Sequence, residues 1–374
     1  MMTEAKGQAE QMTDMPEHMS APQQTKRWTR IEIVGVLLVI AATLTLLISP
    51  NTLSGVFDSI VESVFPVVVE VFLTGTVGVA IITSVIIGRI LERLGFTDAL
   101  MRIFVPFTRL IKINSAVVIP SIYNILGDIN AAGKIAAPIL VRSQATKSEQ
   151  KIAIATMVQS QQSFSTFMLG MLAMTTVGIN VFPVIILVVF LPVVVVPFIL
   201  SKTIYRETKY VRLEELPKFT PTTRMMPTIF NAAREGAELL LLLIIPAAAV
   251  VFTLIGILDY AGIWSPIETG ISSFLSALSI DPETGIVSIL ASPTLAMGML
   301  AESAANIDPY LVLGSFVLAS SGLPLATIFG QIPVVWAASS DLNEREAMFA
   351  AVLGAVMRLI TAALVALLLG PLVV

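Results

Sequence analysis

Two hydrophobic segments of the chain carry polar side chains where a membrane span is normally most apolar. They are Ser115–Val141 and Glu149–Ile179. Polar groups are costly in lipid, so they usually line a protein-enclosed cavity and mark the path of a solute. The side chains that could bind such a solute are Asn124, Asp128, Asn130 and Lys134 in the first segment, and Gln159, Gln162, Ser163 and Thr166 in the second. The alternative for the second segment is hydrogen bonding between helices.

A second pair of segments, Gly285–Ala305 and Pro309–Ser339, has the same character. Ser292, Pro293 and Thr294 are typical of a turn, and a half-helix that begins there would present free N–H groups to an anionic or carbonyl group. Gly and Pro in the later segment predict a broken or kinked helix. The candidate binding residues of this pair are Ser292, Thr294, Ser321, Thr327 and Gln331, and Glu302 lies near a predicted outer mouth.

Several charged residues stand alone in apolar surroundings. Asp128 and Lys134 could neutralise each other as an ion pair, or could serve in ion coupling and solute binding. Arg358 lies deep in the last apolar segment, and Glu70 is equally isolated in an earlier one. Each could pair with a charge elsewhere in the chain or face the cavity.

The composition is that of an integral membrane protein. The 374 residues are 56% hydrophobic and only 13% charged, whereas soluble domains carry about 25% charged residues. A net charge of −4 argues against a nucleic-acid partner. There is no Cys, and His18 is the only His, which argues against a metal site or a haem built on these ligands. No hydrolase motif occurs, so we expect a non-enzyme without a cofactor.

The chain contains several segments long and apolar enough to cross a bilayer as helices, which predicts an all-α fold. Two amphipathic stretches, Thr97–Ile113 and Ile267–Ile280, are expected at the interface. The predicted spans are Ile31–Ser49, Phe65–Leu91, Glu149–Ile179, Val181–Ser201, Glu238–Leu258, Pro309–Ser339 and Ala347–Val374.

The distribution of Lys and Arg predicts which side of the membrane each loop faces. Basic residues precede the first span, and the loop Pro50–Val64 contains none, so the N-terminus is expected in the cytoplasm. The most basic loop, 202–235, is cytoplasmic only if Ser115–Val141 dips into the membrane and returns. The same reasoning makes Gly285–Ala305 a re-entrant segment from the outside and leaves the C-terminus outside. A protein partner that docks on the basic loop is an alternative reason for its charge.

Matching residues at an offset of 167 predict two inverted-topology repeats, a common plan of secondary transporters. Ile90, Leu91, Gly95 and Ile113 correspond to Ile257, Leu258, Gly262 and Ile280. The predicted organisation is a disordered cytoplasmic tail (1–30), an extra transmembrane helix (31–49), a first repeat (65–201), the basic loop (202–235) and a second repeat (236–374).

The chain resembles the nucleoside-recognition, or Gate, domain family, which is related in plan to concentrative nucleoside transporters and to the membrane part of ferrous-iron permeases. The resemblance rests on Gly127–Ala136 with Gln159–Thr166, and on Ser292–Gly298 with Ser320–Gln331. It implies re-entrant hairpins whose tips, together with the spans that follow, hold the solute, with Na⁺ or H⁺ as the coupling ion. It assigns one half-site to Asn124, Asp128, Asn130, Gln159, Gln162 and Thr166, and the other to Ser292, Thr294, Ser321 and Thr327.

These patterns together predict a secondary active transporter of a small polar solute, with nucleoside-like solutes among the candidates. The alternative is a non-transporting Gate-domain protein that binds a partner or senses a ligand. We expect a multi-pass protein of a prokaryotic cytoplasmic (inner) membrane, whose partners are the solute and the lipid bilayer. Assembly as a homo-oligomer is compatible with this prediction.

Overall fold

The computed structural model describes residues 28–160, 163–321 and 323–374, and in these ranges the chain is helical without a strand. Short 3₁₀ turns lie at Ser115–Val118 and Ala304–Asn306. The helices of the first half are α1 (Arg30–Ile48), α2 (Pro50–Phe65, continued by the π-helical segment Pro66–Thr74), α3 (Thr76–Arg93), α4 (Phe96–Phe104), α5 (Phe107–Ile111), α6 (Ile119–Asn124), α7 (Ile129–Arg142), α8 (Lys147–Gln159), α9 (Phe164–Thr176) and α10 (Val181–Lys202). Those of the second half are α11 (Met225–Tyr260), α12 (Trp264–Ala277), α13 (Pro282–Leu290), α14 (Pro293–Ser303), α15 (Pro309–Ala319), α16 (Thr327–Ser339) and α17 (Glu344–Val373).

Helix α1 belongs to an N-terminal unit that ends at Phe57. A capping box starts the helix, because the Thr29 hydroxyl accepts the Glu32 N–H and the Glu32 carboxylate accepts the Thr29 N–H. Apolar side chains cover every face of α1, and none of its residues is buried. A helix that is apolar all round is typical of a membrane span rather than of a soluble surface.

Among the described residues, the helices long and apolar enough to span a membrane are α1, α10, α11 and α17. Helices α2 and α3 add a fifth candidate if they form one span, bent by 54° at Gly75. A Cβ atom at Gly75 would lie 2.5 Å from the Val71 carbonyl oxygen, so the bend needs glycine at this position. The chain is therefore a multi-pass helical membrane protein.

Three sequence predictions about these segments are corrected by the structure, and one is confirmed. The predicted span Glu149–Ile179 is two separate helices, because polar residues interrupt it near the middle. The predicted break in Pro309–Ser339 is confirmed, since one helix ends at Ala319 and the next begins at Thr327. The predicted outer loop Pro50–Val64 is helical, because its apolar residues recur every three to four positions. Helix α11 begins at Met225, inside the predicted basic loop, because its first turns pack on α3.

Proline explains why one of the long helices is locally π-helical. Helix α10 widens at Ile186–Phe190, immediately before Pro192. Proline has no N–H, so the carbonyl four residues earlier, that of Val188, cannot make its usual helical hydrogen bond. The segments Leu239–Ile244 and Thr327–Gln331 likewise lie next to a proline. Such widenings often lie at functional sites of helical proteins.

Within residues 58–374, two apolar clusters form the interior. One is centred on α6, α7 and α8, and the other on α3, α9, α14 and α15. Phe167 and Ala355 pack against both clusters. The short helices α6 and α7 pack on each other as a hairpin, and so do α13 and α14. These two hairpins and the two interrupted helices that follow them place the polar residues of the candidate site.

Left-handed backbone recurs at the sequence offset of 167. Gly95 has φ +85° and Gly262 has φ +69°, each just after a long helix. Lys112 and Ser279 also share positive φ, at 64° and 57°. Positive φ is uncommon outside glycine, so its recurrence at two corresponding non-glycine positions reflects similar local geometry rather than similar side chains.

Candidate functional site

The tip of the first hairpin is held by the Asp128 side chain. One carboxylate oxygen, Oδ1, accepts the N–H groups of Asn130 at 2.9 Å and Ala131 at 3.0 Å, which caps α7. Its other oxygen has no hydrogen-bond partner among the described residues, and the side chain is exposed. Gly127 precedes it, and a Cβ atom there would lie 2.7 Å from the Tyr123 ring. The ion pair between Asp128 and Lys134, one of the two alternatives for these residues, does not form, and Lys134 is exposed without a described acidic partner.

The break between α8 and α9 has an unusual backbone at Ser163, with φ 54° and ψ 144°. Non-glycine residues in such regions cost about 1–3 kcal/mol and cluster at functional sites. The Ser163 N–H donates to the Asn124 carbonyl at 3.3 Å, which ties the break to the first hairpin. The Ser163 hydroxyl caps α9 by accepting the Thr166 N–H at 3.3 Å. Gln162, a predicted binding residue, lies outside the described residues.

The second hairpin contacts the start of α9, next to the break between α8 and α9. The Thr294 hydroxyl lies 2.9 Å from the Thr166 hydroxyl, and both side chains are buried. Helix α14 begins at Pro293, and the Ser292 hydroxyl makes no capping hydrogen bond. The N–H groups in the first turn of α14 therefore lack a side-chain cap, and a helix N-terminus of this kind favours an acceptor group of a ligand.

One cavity of about 200 Å³ is lined by residues of both hairpins and of the break between α8 and α9. Predicted site residues from both halves line it together, which sequence spacing alone could not show. Small and apolar side chains complete its wall. The lining residues are Val85, Gly88, Arg89, Leu126, Gly127, Asp128, Ser163, Phe164, Ser165, Glu235, Leu239, Leu243, Ile244, Ser292, Pro293 and Thr294.

An ion pair that the sequence analysis missed also lines the cavity. Arg89 Nε donates to Glu235 Oε2 at 2.9 Å, and Arg89 Nη1 donates to Glu92 Oε2 at 2.6 Å. In the sequence, Arg89 contributed only to the distribution of basic residues that predicts membrane topology, and Glu235 lay in the predicted basic loop. The two members of this pair are 146 positions apart in the sequence, so no local pattern indicates it. Ser165, which the Ser84 hydroxyl contacts at 2.8 Å, was also missed as a lining residue.

Other predicted residues lie outside the cavity. Asn130 donates to Gln331 Oε1 at 2.9 Å, and Thr327 contacts the same oxygen at 3.4 Å, which forms a separate polar group between the halves. Gln159 Nε2 donates to the Thr361 hydroxyl at 2.6 Å. The Ser321 hydroxyl donates within its own segment to the Leu318 carbonyl.

Glu302 and Arg358 also lie away from the cavity lining. Glu302 is exposed and accepts the Thr76 hydroxyl at 3.0 Å. Arg358 is completely buried, and its guanidinium binds backbone carbonyls instead of the acid that one prediction required. Backbone carbonyls left without partners by helix breaks compete effectively for a buried donor.

Several buried polar atoms near the hairpins have no hydrogen-bond partner in the described part of the chain. They include Oδ1 of Asn124, Oδ1 of Asn130 and Oε1 of Gln159. Buried polar atoms are nearly always paired in folded proteins, so unpaired ones in a polar region indicate places where water or a ligand can bind. No group of three His, Cys, Asp or Glu side chains in the described ranges is arranged to hold a metal ion.

No protein-family profile matches the sequence, and no curated protein matches it. Solved structures of CNTnw, a concentrative nucleoside transporter, do share its fold. The inward-facing, substrate-bound structure has a TM-score of 0.57 at 12% identity, over 88% of this chain and 86% of CNTnw. An outward-facing variant gives 0.58 at 14% identity, over 91% and 87%. An intermediate state gives 0.57 at 13% identity, over 90% and 87%.

The fold of this chain is therefore similar to that of CNTnw. The similarity extends over most of both chains. These structural neighbours are transporters and not enzymes. At 12–14% identity the likeness concerns the fold, and the solute must be argued from the residues of this chain.

Proposed function

We propose that this protein is a secondary active transporter of a small, polar, uncharged solute, with nucleosides and their fragments as the first candidates. The observation that carries the proposal is the cavity where Asp128, Ser163 and Thr294 meet within a CNT-like fold. Hydroxyl groups from both halves and a helix N-terminus lie at one place. Such convergence of polar groups in an otherwise apolar wall is typical of small-molecule sites.

The chemistry of the cavity favours a neutral solute with both donor and acceptor groups. Asp128 provides an acceptor through its second carboxylate oxygen, and the first turn of α14 provides donors. Two acids and one arginine line the cavity, and the arginine is already paired, so the local charge disfavours an anion. The volume of about 200 Å³ lies below the roughly 300–1,000 Å³ typical of pockets for drug-sized ligands. A compact solute therefore suits it best.

The mechanism we propose follows the two-repeat plan. The hairpins α6–α7 and α13–α14 are taken to re-enter the membrane from opposite sides, as inverted repeats. The shared backbone geometry at the offset of 167 supports this interpretation. With the N-terminus in the cytoplasm and the C-terminus outside, the Arg89–Glu235 pair lies on the cytoplasmic side of the cavity. We take an H⁺ or Na⁺ gradient as the driving force for a cytoplasmic-membrane carrier of the Gate-domain type.

The experiment that tests the proposal begins with solute binding. Purified protein is screened by thermal shift against nucleosides, nucleobases, amino acids, organic acids and metal ions, because a bound ligand raises the Tm. A hit is then tested for uptake into proteoliposomes. Thermal stabilisation without uptake would instead favour the non-transporting, ligand-sensing alternative, and a screen without a hit or uptake would contradict the proposal.

A matched pair of variants locates the site. Asp128→Asn keeps a side chain that can cap α7 but removes the carboxylate, and a charge-assisted hydrogen bond is worth about 1.5–3 kcal/mol. We expect solute affinity to fall about tenfold or more. The control is Asp308→Asn, because Asp308 caps α15 in the same way and does not line the cavity. Equal losses of affinity in the two variants would contradict the assignment of the site.

A further inference from the structure

The Arg358 guanidinium lies at a point where carbonyl oxygens of three separate segments converge. The residue is halfway along α17 and completely buried. Its Nε donates to the Val317 carbonyl at 2.5 Å, and Nη1 donates to the carbonyls of Gln159 at 2.7 Å and Val188 at 3.4 Å. Nη2 donates to the Ser320 carbonyl at 3.2 Å. Within the described ranges, no carboxylate forms an ion pair with this arginine.

Each of these carbonyls lacks its usual helical partner for a local reason. Helix α8 ends at Gln159, and α15 ends at Ala319 with Ser320 as its C-cap. The carbonyls at the C-terminal end of a helix, including the cap, have no intrahelical donor. The Val188 carbonyl faces Pro192, which has no N–H to give. The two helix interruptions and one proline therefore create a cluster of acceptors, and Arg358 supplies the donors.

The charges balance as well as the hydrogen bonds. A helix C-terminus carries a partial charge of about −0.5 elementary charge. The ends of α8 and α15 together thus present about −1 to the guanidinium. A buried arginine without such compensation would be strongly destabilising. The cluster is in effect a site for one monovalent cation, and a side chain of the same polypeptide occupies it.

In secondary transporters, unwound backbone and the C-terminal ends of interrupted helices coordinate the coupling cation. We propose that Arg358 is a tethered cation that takes the place of a sodium ion between the two interrupted helices, so that this protein works without sodium. The inference rests on the proposed function only where it concerns uptake. The replacement of a cation by Arg358 is a property of the folded protein and can be measured without any solute.

The test compares sodium with choline at a constant ionic strength of about 0.15 M. The Tm of the purified full-length protein is measured in both salts for the wild type, Arg358→Lys and Arg358→Ala. We expect no difference between salts for the wild type and for Arg358→Lys, which retains a cation. Arg358→Ala should have a lower Tm in choline, and sodium should raise it by about 2 °C or more, because the ion then binds the vacated carbonyls. Arg102→Ala, which removes an exposed arginine, should show no sodium effect.

Two results would overturn the proposal. One is a higher Tm of the wild type in sodium than in choline, which would reveal a separate sodium site. The other is an Arg358→Ala protein that folds with an unchanged Tm or gains nothing from sodium. If Arg358→Ala fails to fold, the wild type and Arg358→Lys still decide, since sodium dependence in either contradicts the proposal. A failed search for the solute would leave these measurements unaffected, so the two proposals fail separately.

Discussion

The hydrogen bond between Thr166 and Thr294 predicts an energetic coupling between the two halves of the candidate site. The two hydroxyl oxygens are 2.9 Å apart, and both side chains are buried. Valine has nearly the same shape as threonine but cannot donate or accept a hydrogen bond. Replacement of either threonine by valine therefore removes the bond with little change in packing volume.

The size of the effect follows from the contacts of each hydroxyl. Thr294→Val removes this one contact and should lower the free energy of unfolding by about 0.6–1.5 kcal/mol. Thr166→Val also removes the 3.0 Å contact to the Ser163 hydroxyl and should cost more, about 1–3 kcal/mol. The double variant should be less destabilised than the sum by about 0.6 kcal/mol, and by no more than about 1.7, as for other hydrogen bonds between membrane helices.

The assay is a double-mutant cycle on reversible unfolding in mixed micelles, with the free energy of unfolding measured for all four proteins. The control is Thr176→Val, because Thr176 is exposed on the same helix and donates only to the Leu172 carbonyl. It should change stability by less than about 0.5 kcal/mol and show no coupling to Thr294→Val. Additive effects of Thr166→Val and Thr294→Val, within about 0.3 kcal/mol, would refute the contact between the halves.

Further predictions concern the backbone, the packing and the pH dependence. Ser163→Gly should have a higher Tm than Ser163→Ala, because both variants lose the hydroxyl contacts and only glycine relieves about 1–3 kcal/mol of backbone strain; equal Tm values would contradict the strain. Gly170→Ala should destabilise the protein by about 1–3 kcal/mol, because its Cβ would overlap a phenylalanine ring of α15, while Gly270→Ala, with open space around it, should not; chemical unfolding of both variants checks this. Burial raises the pKa of Asp98, but hydrogen bonds from Thr220 and two loop N–H groups lower it more, so its pKa in the folded state is below the ordinary value. The Asp98 carboxylate therefore stabilises the folded state fully above the unfolded-state pKa of about 3.9, and this stabilisation is lost as the pH falls through the folded-state pKa. Amide hydrogen exchange of the loop should increase in that range and at neutral pH in Asp98→Asn; unchanged exchange would contradict the role of the carboxylate.

The candidate site was only partly predictable from the sequence. The polar cluster around Ser163 and the turn at Ser292 and Thr294 could be found because their residue types conflict with an apolar span. The Arg89–Glu235 pair could not, because both residues lie in stretches that are normally charged. Only the packing of α11 on α3 brings them to the cavity.

The sequence by itself determined that this chain is a helical membrane protein and that the segment Pro309–Ser339 would be interrupted. Both properties follow from local composition, since apolar length makes a span and a polar or proline residue within it breaks the ladder of hydrogen bonds. The tertiary structure alone decided which ends of the interrupted helices lie close together and which donor pairs with their carbonyls. Arg358 and Gln159 are 199 positions apart, yet one supplies the donor that the other's carbonyl requires. Whether the Arg358 guanidinium binds an acid or a set of carbonyls depends on which acceptors the packing leaves unpaired, and no local sequence pattern predicts this.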